Sequence, residues 1–503
     1  MNWRTKTLDQ ILATAEEKAL HRSLGGFQLM MLGVGAIIGT GIFVLTAEAA
    51  QKAGPGMMVS FIIAGSVCAV TALCYAELAS MVPVSGSAYT YSYAVLGEIV
   101  AWLVGWALIL EYAVAASAVS VGWSNYFVGS VERFFNLDFP DLFSKGPHVG
   151  GIMNVPAAVI ALAVTGLLIL GTRESARVNA VLVSIKVVAL TVFCILAVPV
   201  INGANFEPFS PNGFLGEISG MGIAGAAASI FFAYVGFDAV STAAEETRDP
   251  QRNVPFGLIG SLAICTIFYV LVAAGAIGSI GAQPIFNPDT GLAYEPGTRE
   301  LADACMNTHN AEQLACSGEP LALVMDAIGY KTISGLISLA AFLALPSVIL
   351  MMLFGQTRIF FVMARDKLLP FNELLTRIHP KYHTPHVVTI ITGLAVTVFA
   401  SFFPVGVLAD ISNSGTLFAF MAVALGVLIL RVKDPDRPRP FRTPIVWVMA
   451  PLALAGCAFL FFSLPFRTQL TFFGWAAIGL VIYFLYGYRN SPVGREVARQ
   501  ANK

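Results

Sequence analysis

Charge is what this 503-residue chain has least of, with 12% of residues charged against 57% hydrophobic. Soluble domains carry about twice that share of charge, so the composition is that of a polytopic membrane protein. A formal net charge of -1 gives no reason to expect a nucleic-acid partner. Histidine is scarce, and all six residues (His21, His148, His309, His379, His383 and His386) are read as lying outside the apolar segments, which argues against a histidine-ligated metal or haem in the membrane. HExxH, Walker A and GxSxG motifs are missing, as is a carbonyl filter of the potassium-channel kind. Asp238 is read as the only aspartate well inside an apolar segment, so paired intramembrane aspartates are not expected. Channel and enzyme readings are remote, and neither cofactor nor metal is called for. The first 26 residues mix both signs of charge without an apolar core and cleavage site, so they read as a tail, with an amphipathic helix as one option, and not as a signal peptide.

What the chain has in quantity is apolar runs. Twelve are long enough to span a bilayer: 27–50, 56–82, 98–128, 152–171, 177–200, 217–245, 255–279, 333–362, 386–403, 405–431, 444–463 and 471–488. Together they predict an all-α integral membrane protein of about 12 transmembrane helices. Lysine and arginine accumulate on the cytoplasmic side of such chains. With the N-terminus inside, twenty-two of the 29 fall on inner segments and six, Lys52 among them, on outer ones, which predicts both termini in the cytoplasm. Cys305 and Cys316 lie in the longest outer loop, about 280–320, whereas the other five cysteines sit within spans. Their spacing allows a disulfide that would contribute about 3 kcal/mol on the chain-entropy model, the alternative being two unpaired thiols. The apolar stretch Leu321 to Ile328 reads as a short helix over the outer mouth.

Span one should be an unbroken helix, because lipid offers no partner for stray backbone groups. Yet glycines at 33, 35, 39 and 41 weaken it at mid-depth, which suits either close helix packing or a break that holds something polar. A second interruption, Val235-Gly236-Phe237-Asp238, falls in span six. Spans one and six correspond when two five-helix halves repeat with inverted topology, and paired interruptions there point to a transporter's substrate site.

Ionisable residues stranded in the membrane mark chemistry or its structural support. Lys186 in span five either snorkels to the cytoplasmic interface or exchanges a proton. Glu111 in span three serves as a structural hydrogen-bonding group or as a substrate contact. Asp238 caps the resumed helix of span six or contributes to the pocket. Glu77 reads as part of a cytoplasmic ion-pair network with Glu245, Glu246 and Arg358.

The stretches GAIIGTGIF at 35–43, SGSAYTYSY at 85–93, FFAYVGFDAVSTAAEE at 231–246 and GQTRIFFVMARDKLLP at 355–370 resemble the signatures of the cationic amino acid transporter family of the amino acid, polyamine and organocation superfamily, in its bacterial twelve-span form. The resemblance implies the LeuT-type 5+5 inverted repeat with broken helices one and six. Residues 27–431 would form that ten-helix core, and 432–503 the last two helices and a cytoplasmic tail. It places a substrate carboxylate on the N–H groups of Thr40, Gly41 and Ile42, and the amino group on the C=O groups of Ile37, Phe232, Ala233 and Val235, with Gly39 and Gly236 marking the breaks. Lys186 matches the lysine that replaces sodium in proton-coupled relatives. On span eight, Pro346-Ser347 supplies one hydroxyl where a sodium site seeks two. The implied function is import of L-amino acids across the bacterial inner membrane by proton symport, neutral substrates before cationic ones. Exchange and sodium coupling stay open, as do oligomeric state and any small partner subunit. The lipid bilayer and the amino acid itself are the partners expected.

Overall fold

The computed structural model describes residues 24–81, 87–171, 176–238, 240, 247–307, 310 and 312–495. Among these the regular structure is helical, apart from two isolated bridges that pair Leu24 with Thr247 and Phe286 with Ala293. Eight helical stretches are long and apolar enough to cross a membrane, and four shorter apolar helices (Gly26–Ile37, Val155–Ile169, Gly222–Tyr234 and His386–Phe402) supply the remaining predicted segments. His386 is the first residue of its helix, so it belongs to span nine at its very end.

Span three, Glu98–Phe135, is the axis of the molecule. Of its most apolar window 83% is buried, against 22% for span twelve, so one is core and the other periphery. Spans eight (Lys331–Arg365) and ten (Val405–Lys433) pack along it, and span seven (Pro250–Ile280) packs against span two (Met57–Met81) and the first half of span one. Span twelve, which begins at Phe466, is clasped to span three by indoles. Trp106 donates to the carbonyl of Trp475 and Trp475 donates to that of Trp106, both at 2.9 Å, with the rings stacked 4.5 Å apart. Such a reciprocal pair satisfies both indole N–H groups inside an apolar contact.

Cys305 and Cys316 are joined in a disulfide, with Cα atoms 5.5 Å apart, in the segment between spans seven and eight. Pro320–Ala327 follows as a short helix. Glu319 precedes it and accepts from Arg133 on span three (3.3 Å) and Ser338 on span eight (3.1 Å), so the segment is fastened at this end of the bundle. At the opposite end Glu77 receives Arg431 in a two-pronged contact (2.9 and 2.8 Å), lies 3.2 Å from Arg439, and accepts from the Thr443 N–H. That network is built with span ten and the turn that follows it. Arg358, expected in the same network, stacks on Phe354; Glu245 and Glu246 lie outside the described residues.

Candidate substrate site at the paired helix breaks

The first half of span one, Gly26–Ile37, ends as Ile38 turns extended, and a new helical turn begins at Thr40–Phe43 after Gly39. No side chain caps it. The N–H groups of Thr40, Gly41 and Ile42 therefore open a helix without intrahelical acceptors, at its positive end. Span six breaks in the same layer. Gly222–Ile230 tightens into the turn Phe231–Tyr234, Val235 is extended, and Gly236 adopts φ +111. A side chain at Gly236 would be strained, and its Cβ would lie 2.9 Å from the carbonyl oxygen of Ala36.

The two breaks touch. A Cβ on Gly41 would meet the Cα of Ala233 at 2.2 Å, so backbone faces backbone there. Gly39 differs: its nearest neighbour would be Val348 at 3.6 Å, ordinary contact, so the steric need for glycine in span one falls on Gly41. Thr40 is buried, with no hydrogen-bond partner for its hydroxyl.

The carbonyls opposite are not all open. Phe232 accepts from the Val235 N–H at 3.2 Å within the turn. Those of Ile37 and Ala233 both lie beside one hydroxyl, Tyr269 of span seven, at 2.9 and 2.8 Å. Lys186 is buried and donates to the Gly35 carbonyl at 3.0 Å. It therefore reaches into the bundle instead of snorkelling, and sets its ε-amino group at the carbonyl end of the first half-helix, the negative end of the helix dipole.

Glu111 and Asp238 are brought together. Tyr112 donates to Asp238 at 3.0 Å, Ser412 donates to the Glu111 carbonyl at 3.2 Å, and both side chains are buried. Whether Asp238 caps the resumed helix falls outside the described residues. On span eight the Ser347 hydroxyl is engaged with the Ala344 carbonyl at 2.8 Å.

One charged cluster escaped the sequence reading. Lys52, expected on an outer segment, is buried with 2% exposure in Leu45–Ala53, and its ε-amino group lies 3.1 Å from both Glu48 and Asp410. Ser229, at the end of the first half of span six, bonds to Lys52 and to Asp410. Asp410, five residues on from the start of span ten, is thus a buried intramembrane aspartate in addition to Asp238. Asn413, one turn on, donates to the carbonyls of Ala228 and Ser229 at 2.8 Å. Spans one, six and ten are therefore tied together at the disulfide end, above the breaks, where a cavity of about 520 Å³ opens over Lys52 and Asp410. Its signals in the sequence were a lysine and a glutamate at i,i+4, which also describes an exposed helix end, and Asp410 near the start of the tenth apolar run.

The two breaks thus bring uncapped N–H groups of span one close to carbonyls that a single tyrosine hydroxyl serves, and sequence comparison identifies the family. The family described as Amino acid permease matches residues 24–486. The chain belongs to that family. Among similar proteins, the branched-chain amino acid permease BcaP of Bacillus subtilis is 43% identical over 498 residues, which cover 98% of this chain and 99% of that one. The methylthioribose transporter of the same organism is 39% identical over 496 residues, with the same coverage. Cationic amino acid transporter 9, chloroplastic, of Arabidopsis thaliana is 37% identical over 436 residues, covering 85% of this permease and 70% of that protein. The permease is accordingly a membrane transporter and not an enzyme.

Proposed function

We propose that the permease imports neutral L-amino acids across the bacterial inner membrane by proton symport, on a LeuT-type scaffold of two inverted five-helix repeats. The observation that carries this reading is the meeting of the two breaks. The N–H groups of Thr40, Gly41 and Ile42 suit a carboxylate, and the carbonyls of Ile37 and Ala233 suit an ammonium. Around them stand Ile42, Phe232 and Val235, all apolar and nearly buried, which favours a neutral side chain. The branched-chain permease among its relatives supports the same choice.

Lys186 supports proton coupling. Charged, it holds the carbonyl end of the first half-helix of span one; neutral, it attracts that end less, so its protonation biases which side of the carrier is open. Pro346-Ser347 supplies one span-eight hydroxyl where a sodium site seeks two, which favours the proton. By the excess of lysine and arginine, both termini and the Glu77 network face the cytoplasm, and the disulfide faces outward.

Uptake of a labelled panel into proteoliposomes, with and without an inward proton gradient and without sodium, tests the reading. Methylthioribose belongs in the panel because a relative carries that name. Wild type should accumulate neutral amino acids only with the gradient. Lys186→Ala should retain at most exchange, and Lys186→Arg should keep the charge but lose gradient-driven accumulation. Accumulation by Lys186→Ala at the wild-type level would remove Lys186 from the mechanism.

A further inference from the structure

The hydroxyl of Tyr269 lies within donating distance of two carbonyls but carries one hydrogen. That one hydrogen is either shared between Ile37 and Ala233 or given to one of them, and no other side chain among the described residues donates to either. The phenol ring is fully buried and held from both sides, by Tyr234 edge-on with centroids 5.2 Å apart and by Phe61 at 5.8 Å. Span seven packs against the first half of span one, so the hydroxyl is delivered by a rigid element to the seam between the two broken helices.

We infer that Tyr269 is a stand-in donor for the empty carrier: its hydroxyl occupies the carbonyls that a substrate amino group takes over, and so lets the unloaded permease reorient. This rests on the transport reading above. An ammonium brings three N–H groups and can serve both carbonyls, which makes the phenol redundant once substrate is bound. Without substrate, removing the hydroxyl leaves two buried acceptors with no side-chain donor. A group that interacts differently with two states shifts the balance between them, and here the empty state alone depends on Tyr269. Net uptake requires the empty carrier to return on every cycle, whereas exchange between two filled compartments does not.

The test is Tyr269→Phe, which keeps the ring and deletes the donor. Initial net uptake into empty, proton-energised proteoliposomes should fall about tenfold, the scale of one unsatisfied buried acceptor, while exchange into liposomes preloaded with the same amino acid stays within about twofold of wild type. In detergent, saturating amino acid should raise the melting temperature of Tyr269→Phe by more than it raises that of wild type, because only the empty form is weakened. Equal loss of both modes with an unchanged ligand-induced shift would make Tyr269 a packing residue, and undiminished net uptake would also overturn the inference. Failure of wild type to move any amino acid in either mode would instead overturn the transport reading itself.

Discussion

At the scale of single residues, the position that leaves least room for change is Gly41. Because the obstruction is the backbone of Ala233 at 2.2 Å and not a flexible side-chain tip, even Gly41→Ala must push the two breaks apart. Gly41→Ala should insert and purify as a monodisperse protein yet bind amino acid at least about tenfold more weakly, measured by scintillation proximity, whereas Gly39→Ala, whose Cβ would make only ordinary contact with Val348, should change affinity little. Unchanged affinity in Gly41→Ala would move the site away from the seam. Lys186 was legible in the sequence because a lone charge in an apolar run is expensive and therefore conspicuous. Tyr269 was not, since a tyrosine in an apolar run is unremarkable until the fold supplies its acceptors.

At the scale of elements, the spans and their two interruptions could be read from the sequence, because apolar length and glycine clusters are local properties. The ties between elements could not. Lys52 and Asp410 are 358 positions apart in the chain, and nothing local to either says that they meet. Removing one partner of a buried ion pair strands the other, at about 3–5 kcal/mol. Lys52→Met leaves Glu48 and Asp410 facing each other without their cation, and should lower the melting temperature more than the combined Lys52→Met/Asp410→Asn change does. Differential scanning fluorimetry of the two variants decides it, and equal losses would mean that the cluster adds no coupling between spans one and ten.

At the scale of the whole molecule, the end that carries the disulfide is set by a carboxyl group. Glu319 is pushed up to about 7 from its ordinary 4.5 by burial, against the pull of the nearby Arg133 guanidinium. Folded, it keeps its proton where an unfolded glutamate has lost it, so the native state binds more protons between those values and stability falls as pH rises through that window. Melting temperatures recorded from pH 5 to 8 should decline in wild type and decline less in Glu319→Gln; parallel curves would show that Glu319 does not set the dependence. The sequence revealed neither this pinning nor the partner of span twelve, because both depend on which helix ends the fold makes neighbours. The Trp106–Trp475 clasp has a use of a different kind. Two indoles stacked this closely couple their electronic transitions, so the pair is an intrinsic chromophore whose circular dichroism depends on their separation and angle. Wild-type protein thus carries its own optical gauge of whether span twelve follows span three when substrate binds, with no label attached.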